Sequence, residues 1–298
     1  MRRRDGHDET EGVIEAKRKR YRIRLRGEDV VLGERTWVMG VLNVTPDSFS
    51  DGGRFESADA AVACGMALFE GGADVVDVGG ESTRPGARPL APEEEARRVV
   101  PVLQGLRRRG AGPLSVDTSK ASVAQAALDA GADVVNDVSG FRFDPQMAPL
   151  VADRGVPAIV MHLRGDFASM HCEPRYADVV GEVTAELREA LARAEQAGVA
   201  RAQLIVDPGI GFSKDAGHSL ALMRRLEELA ALDRPLLVGP SRKRFIGAVL
   251  GRPAGERLFG TAAAVAAAVI NGAHVVRVHD VEQMRDVVRM ADAIREAA

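Results

Sequence analysis

The sequence predicts an α/β protein, a TIM (β/α)8 barrel with an N-terminal β-hairpin. From about residue 36 onward, short apolar runs alternate with stretches of helical periodicity, which is typical of successive βα units with parallel strands. Eight such units fit within about 260 residues, the usual size of this barrel. A doubly wound sheet is disfavoured because it commonly has fewer strands, and because no G-x-G-x-x-G motif follows the first strand.

The hairpin comes first, where alternating apolar and basic residues in YRIRLRGEDVVLG turn at residues 27–29. The apolar runs that follow predict strands at Trp37–Leu42, Val75–Val78, Leu114–Val116, Val134–Val135, Ala158–Met161, Leu204–Val206, Leu236–Val238 and His274–Val278. Helical periodicity predicts helices at residues 57–70, 92–109, 119–130, 145–154, 177–197, 216–231, 256–271 and 281–296. Several of these helices end before a glycine, such as Gly131 or Gly198, which readily adopts the left-handed conformation past a helix end.

Composition predicts one catalytic domain at residues 21–298, preceded by a disordered tail of basic and acidic residues at 1–20. The tail has no interleaved aromatic residue except Tyr21 at its end, which favours a solvated extension over a nucleic-acid-binding arm. The sequence contains no apolar stretch long enough to span a bilayer, and its two cysteines, Cys64 and Cys172, lack zinc-site spacing. We therefore expect a cytoplasmic protein without membrane or nucleic-acid partners.

Polar residues follow the predicted strands at their C-terminal ends. They are Asn43, Asp77, Asp117, Asn136, Asp137, His162, Asp207, Ser241, Lys243, Arg277 and His279. Because the active site of a β/α barrel lies at this end of the strands, we expect several of them to face one cup. Past residue 20 lysine occurs only at Lys120, Lys214 and Lys243, each just beyond a predicted strand, which suggests ammonium groups placed against a ligand.

The residue types in this cup indicate two kinds of ligand group. Asp117, Asp207 and Asn136 suit a flat heterocycle with adjacent N–H donors, such as guanine or pterin, because a carboxylate accepts two parallel hydrogen bonds. A second set is cationic or hydroxylated and suits phosphate oxygens; it comprises Thr83, Arg84, Ser241, Arg242, Lys243, Arg277 and His279. Asn43 beside them could help to hold Mg²⁺, which takes few protein oxygens and completes its shell with water and phosphate.

The motifs that carry these residues resemble the dihydropteroate synthase family of folate biosynthesis. In chain order they are GVLNVTPDSFSDGG, DVGGESTRPGA, SVDTSK, VVNDVSG, MH, DPGIGF, SRK and RVHDV, and together they extend from about Trp37 to Asp280. The resemblance implies a transferase in which 4-aminobenzoate displaces pyrophosphate from 6-hydroxymethyl-7,8-dihydropterin diphosphate to give 7,8-dihydropteroate. It also implies a sulfonamide target and a homodimer formed through the outer helices.

The resemblance further implies a role for each site residue. The pterin would be bound by Asp117, Asn136, Asp207 and Lys243, and the diphosphate by Thr83, Arg277, Val278 and His279. The aminobenzoate would contact Phe49, Arg84, Pro85 and Ser241, with Lys243 beside them, and Asn43 would help to bind Mg²⁺. Asp47, Asp51 and Lys243 would act in catalysis, either aspartate stabilising the positive charge at the pterin methylene. The loop after the first strand would be a lid that hinges at Gly52 and Gly53 and excludes water.

Other interpretations stay open at this stage. Asp117 and Asp207 could merely cap the helices that follow them, and His162 could be a packed structural histidine. A pterin-dependent methyltransferase would share the pterin site but would have no use for the STRPG and SRK segments. A non-catalytic pterin-binding paralogue should have lost the lid or the diphosphate residues. The loop at residues 165–174 departs from the family pattern, so its shape is not predicted.

Overall fold

A computed structural model describes residues 18–45, 54–83, 88–170, 172 and 175–297, without the side chains of residues 54–57. Within these ranges the chain forms strands β1 to β10 and α-helices α1 to α9. The strands are β1 Tyr21–Leu25, β2 Glu28–Leu32, β3 Trp37–Asn43, β4 Val75–Gly79, β5 Leu114–Asp117, β6 Val134–Asp137, β7 Ala158–Met161, β8 Leu204–Asp207, β9 Leu237–Val238 and β10 Val275–Val278. The helices are α1 Arg54–Glu70, α2 Pro92–Arg108, α3 Ala121–Asp129, α4 Met147–Arg154, α5 Val179–Gln196, α6 Ala216–Arg224, α7 Arg244–Leu250, α8 Leu258–Ile270 and α9 Val281–Glu296.

Strands β3 to β10 form one parallel sheet in the order β8-β7-β6-β5-β4-β3-β10-β9. The two edges of this sheet meet, because Val206 in β8 forms a parallel bridge with Leu236. The Val206 N–H also donates to the carbonyl oxygen of Pro235 at 3.0 Å. The sheet thus closes into a barrel, which confirms the predicted TIM barrel with its N-terminal hairpin.

Side chains alternate between the two faces of each barrel strand, as strand β10 illustrates. Val276 and Val278 point outward into the core between sheet and helices. Val275 points inward and packs in an apolar layer near the start of the strand, whereas Arg277 points inward nearer its end and is polar. Strands β4, β6 and β8 make the same change, from Val75 to Asp77, from Val134 to Asn136 and from Ile205 to Asp207, whereas β7 stays apolar at Met161. Most of the polar interior therefore lies at the C-terminal ends of the strands.

The antiparallel hairpin β1–β2 covers the N-terminal opening of the barrel. Its side chains Ile23, Leu25 and Leu32 are buried against the first inward layer, which consists of Met39, Val75, Val134, Ile159, Ile205, Leu237 and Val275. The chain turns between the two strands at Arg26 and Gly27, both of which have positive φ. Among the described residues, this end of the barrel is therefore closed by apolar packing.

The described chain begins at Arg18, inside the segment that the sequence analysis assigned to the tail. The Arg18 side chain is 4% exposed, donates a hydrogen bond to the carbonyl oxygen of Ala273 at 2.7 Å and pairs with Asp292 at 3.2 Å. Residues 18–20 therefore belong to the folded domain, since the guanidinium ties the chain to the end of the barrel. Residues 1–17 lie outside the described ranges.

Two helical segments also differ from the prediction. Helix α7 was not predicted, because seven residues are too few to show helical periodicity, although Gly251 ends the helix in the left-handed conformation. The single helix predicted at residues 216–231 is instead α6 followed by a 3₁₀ segment, Leu226–Leu232. Among the described helices, none combines the length and the apolar character needed to cross a bilayer.

Candidate active site

A cavity of about 900 Å³ opens at the C-terminal ends of the barrel strands. It brings together predicted site residues from seven separate segments, namely Asn43, Thr83, Asp117, Asn136, Asp207, Ser241 with Lys243, and Arg277 with His279. The predicted residues Asp47, Phe49, Asp51, Arg84 and Pro85, and the hinge Gly52-Gly53, lie outside the described residues. The predicted site residues within the described ranges line one cavity, except Val278, which does not line it.

Arg277 joins two carboxylates inside this cavity. Its Nε donates to Asp77 Oδ2 at 2.6 Å, and its Nη2 donates to Asp117 Oδ2 at 2.7 Å. Asn136 Nδ2 donates to the same Asp77 oxygen at 3.0 Å. Because the Asp77 side chain is 0% exposed, it holds Arg277 and Asn136 from beneath rather than facing a ligand. The guanidinium predicted for the diphosphate thus lies against Asp117, a carboxylate of the predicted pterin site.

Burial disfavours the charged form of the two aspartates that line the cavity, Asp117 and Asp207. Burial raises the pKa of Asp117, and the Arg277 cation opposes that rise. Burial also raises the pKa of Asp207, while the Gly209 N–H, at 2.7 Å from Asp207 Oδ1, and the nearby Lys243 cation lower it. The two groups therefore depend on surrounding cations to remain charged acceptors for the N–H groups of a ligand.

Lys243 lies over an aromatic face at the edge of the cavity. Its Nζ is 3.9 Å from the centre of the Phe212 ring, a cation–π contact. Burial lowers the pKa of Lys243 to about 8, against the opposing effect of Asp207. Of the three lysines that follow predicted strands, Lys243 alone lines the cavity; Lys120 instead pairs with Glu81 at 2.9 Å, and Lys214 is buried behind the wall.

A second polar pair lies across the cavity, where His279 Nδ1 and Ser241 Oγ are 3.0 Å apart. The His279 backbone N–H also donates to Ser241 Oγ at 3.2 Å. Burial lowers the pKa of His279 to about 4, and the neighbouring Arg277 cation lowers it further in the same direction, so the imidazole is neutral at pH 7. The neutral ring can therefore donate one hydrogen bond to an anionic group of a ligand.

The side chain of Val278 is buried in the outward-facing core, so a contact of this residue with diphosphate would come from its main chain. The capping alternative is wrong for both aspartates. Helix α3 begins after Lys120 without a side-chain cap from Asp117, and helix α6 is capped by Asp215 rather than Asp207.

The described residues fit a magnesium ion delivered with a diphosphate better than a preformed metal centre. No group of three His, Cys, Asp or Glu side chains capable of holding a metal occurs within the described ranges. Asn43 ends β3 at the cavity wall and offers one neutral amide oxygen. Mg²⁺ accepts such a sparse protein set, because water and phosphate oxygens complete its octahedral shell.

Sequence comparison places the chain among known proteins. The pterin binding enzyme family matches residues 39–279. The dihydropteroate synthase of Synechocystis is 47% identical over 253 residues, which cover 85% of this chain and 88% of that protein. The dihydropteroate synthase of Mycobacterium leprae is 50% identical over 251 residues, which cover 82% of this chain and 88% of that protein.

Solved structures show the same likeness. The dihydropteroate synthase of Xanthomonas albilineans with 4-aminobenzoic acid superposes with a TM-score of 0.88 at 44% identity, covering 94% of this chain and 100% of that one. The same enzyme in complex with 7,8-dihydropteroate gives a TM-score of 0.84 at 42% identity, covering 93% of this chain and 100% of that one. The Yersinia pestis enzyme with a sulfonamide drug gives 0.86 at 39% identity, with 93% and 100% covered. The chain therefore belongs to the pterin binding enzyme family and, within it, to the dihydropteroate synthases.

Proposed function

We propose that this chain joins 6-hydroxymethyl-7,8-dihydropterin diphosphate to 4-aminobenzoate, giving 7,8-dihydropteroate and pyrophosphate in folate biosynthesis. The observation that carries this function is a single cavity in which Asp117, Asn136 and Asp207 face a rim that includes Ser241 and His279. The first set suits a heterocycle with adjacent N–H donors, and the second suits a diphosphate. The Xanthomonas albilineans enzyme has been solved with 4-aminobenzoic acid and with 7,8-dihydropteroate, which supports an aminobenzoate substrate and a pterin product.

We assign pterin binding to Asp117, Asn136, Asp207 and Lys243. Asp207 would accept hydrogen bonds from the amino group and the ring N–H of the pterin. It would use Oδ2, because Oδ1 already accepts from the Gly209 N–H. Asn136 has one amide hydrogen committed to Asp77 at 3.0 Å, so its carbonyl oxygen and second hydrogen remain for the ring. Arg277 would release or share Asp117 as the heterocycle enters, since its guanidinium has five donors.

We assign diphosphate binding to Thr83, Arg277, His279 and the main chain at Val278. Asn43 would hold Mg²⁺ through its amide oxygen, with water and diphosphate oxygens as the other ligands. The ion would neutralise the charge that grows on the leaving pyrophosphate. We assign aminobenzoate binding to Ser241 together with Phe49, Arg84 and Pro85, and charge stabilisation to Asp47 or Asp51.

The step itself requires little base catalysis. The lone pair of the aniline nitrogen attacks the pterin methylene, a C–N bond forms, and the C–O bond breaks with its electrons leaving on pyrophosphate. The proton lost from nitrogen passes to water or to the leaving group. The chain would therefore contribute chiefly by orienting both substrates and by stabilising charge on either side of the methylene, with Lys243 as a cation that lines the same cavity.

The test is an assay of the purified full chain with both substrates, in Mg²⁺ and in EDTA. We expect dihydropteroate and pyrophosphate in equal amounts, rates that fall in EDTA, and no product from Asp207→Ala. Methyl transfer from methyltetrahydrofolate without pyrophosphate release would instead identify a methyltransferase. Pterin binding without turnover in Mg²⁺ would identify a non-catalytic paralogue.

We also propose a homodimer in the cytoplasm. Helices α8 and α9 pack side by side and expose large apolar residues, with Phe259 86%, Met290 63% and Ile294 54% exposed. Such a patch loses its contact with water when two copies pair. Both cysteines are free and exposed, which fits a reducing compartment. Sedimentation should give a dimer that Phe259→Glu converts to a monomer; a monomeric wild type at micromolar concentration would contradict the assembly.

A further inference from the structure

Lys214 is a buried ammonium directly behind the cavity wall. It is 2% exposed, although it is one of the most hydrophilic residue types. Its Nζ lies 2.9 Å from His162 Nδ1, 3.0 Å from the Phe212 carbonyl oxygen and 3.2 Å from the Gly209 carbonyl oxygen. Three acceptors thus meet the three donors of a protonated lysine, which offsets the cost of burying the charge.

The orientation of the His162 ring is set by hydrogen bonds with charged side chains. His162 Nε2 lies 3.0 Å from Glu186 Oε2, and Arg164 Nε donates to Glu186 Oε1 at 2.9 Å. Burial lowers the pKa of His162 to about 4, and the hydrogen bond with His162 lowers that of Glu186 to about 2. The imidazole is therefore neutral, with its proton on Nε2 toward the carboxylate, so Nδ1 is free to accept from Lys214.

The turn that Lys214 holds is left-handed at three residues and tightly packed. Gly209, Gly211 and Ser213 all have positive φ, at 67°, 80° and 48°. A Cβ at Gly209 would lie 2.1 Å from the carbonyl oxygen of His162, so the backbone there approaches β7 too closely for any other residue. A turn with this geometry needs specific hydrogen bonds to persist.

The same turn presents two groups to the cavity. The Gly209 N–H donates to Asp207 Oδ1 at 2.7 Å and so orients that carboxylate. The Phe212 ring lies beneath the Lys243 ammonium at 3.9 Å. Lys214 binds the carbonyl oxygens of these same two residues, Gly209 and Phe212, but does not line the cavity.

We propose that Lys214 is a positioning residue for the pterin: its ammonium, set by His162, fixes the 209–213 turn so that Asp207 and Lys243 meet the heterocycle. This inference rests on the proposed function and deepens it. When protonated, Lys214 has a second effect, since it is among the cations that lower the pKa of the buried Asp207. Burial lowers the pKa of Lys214 itself to about 7; Asp207 and Glu186 oppose this shift, and Arg164 and Lys243 add to it.

The experiment compares Lys214→Met with Arg107→Met. Arg107 is the matched control because it also donates to carbonyl oxygens, those of Gly131 at 2.7 Å and Gly112 at 2.8 Å, but at the N-terminal end of the barrel. Calorimetry measures two probes separately, 6-hydroxymethylpterin for the heterocycle site and pyrophosphate with Mg²⁺ for the diphosphate site. We expect Lys214→Met to bind the pterin about tenfold or more weakly and pyrophosphate within about twofold of wild type. Arg107→Met should leave both affinities within about twofold of wild type.

Equal pterin affinity in wild type and Lys214→Met, or parallel losses for both probes, would overturn the inference. If Lys214→Met does not fold, the test uses His162→Asn and His162→Leu instead. The asparagine side-chain oxygen can replace His162 Nδ1 as the acceptor for Lys214, whereas leucine offers no acceptor. Pterin affinity should then be retained better by asparagine, and equal losses would refute the positioning role. Failure of wild type to bind the pterin would instead refute the proposed function, so the two failures are distinct.

Discussion

The pH dependence of substrate affinity should report the Lys243 ammonium. Burial lowers the pKa of this lysine to about 8, from an ordinary value near 10.4. The group is therefore protonated at pH 7 and loses its proton as the pH rises through 8. If only the protonated form binds the pterin diphosphate tightly, about one tenth of the protein is competent at pH 9, and the apparent Kd rises about tenfold between pH 7 and pH 9.

Isothermal calorimetry with wild type and Lys243→Met across pH 7 to 9.5 tests this reasoning. At pH 7 we expect the variant to bind about tenfold or more weakly, because it lacks a charge-assisted contact. At pH 9 and above the two affinities should converge, since wild type has lost the same charge. Ionisation of the ligand affects both proteins equally and cancels in the comparison. Parallel curves, with a constant ratio of Kd values, would refute the assignment.

Three further variants test the site and its support. Asp207→Asn should weaken pterin binding by about 2 kcal/mol or more in calorimetry, because an amide hydrogen replaces an acceptor; unchanged affinity would count against the pterin assignment. Arg277→Met leaves the carboxylates of Asp77 and Asp117 close together without a cation. Unfolding in guanidinium chloride at pH 8 should therefore show a free energy of unfolding that is lower by about 3 kcal/mol or more. That loss should shrink at pH 5, and a pH-independent loss would contradict the ion-pair argument. Burial lowers the pKa of His274 to about 4, so this ring should account for roughly 3 kcal/mol of the unfolding free energy that wild type loses between pH 6.5 and pH 4, and the loss in His274→Gln should be smaller by that amount.

The sign of the last effect follows from proton binding. His274 Nδ1 accepts from the Leu236 N–H at 3.1 Å and Nε2 lies 2.9 Å from the Lys19 carbonyl oxygen, so the folded state holds a neutral ring. Below pH 6.5 the unfolded chain binds a proton that the folded chain does not, and stability falls as the pH decreases. The stability supplied by the neutral ring is fully present above pH 6.5.

The barrel was predictable because each strand is a short, local signal. All eight barrel strands are found at their predicted places, and most of their bounds differ by no more than two residues. Site residues at the C-terminal ends of strands, such as Asp117 and Asp207, could be predicted from position alone, because a β/α barrel brings these strand ends together around the active site. The outward direction of Val278 could also have been inferred, since it lies between two inward residues in a two-residue period.

Long-range pairings could not be predicted in the same way. The partners of Arg277 lie 200 and 160 residues away, and nothing local indicates that its guanidinium reaches Asp77 and Asp117. Lys214 and His162 are 52 residues apart, and each is unremarkable in its own segment. Such contacts depend on the exact stagger of neighbouring strands, which composition and periodicity leave undetermined.

The join between β8 and β9 has a consequence for how ligands affect the whole molecule. β9 is two residues long, and its side of the ring meets β8 through one bridge, Val206 to Leu236. Asp207 ends β8 on one side of this join, while Ser241 and Lys243 follow β9 on the other side. A substrate that contacts both sides would link β8 and β9 where their backbone pairing is sparsest. Substrate binding should therefore slow amide exchange at Val206 and make the barrel more rigid.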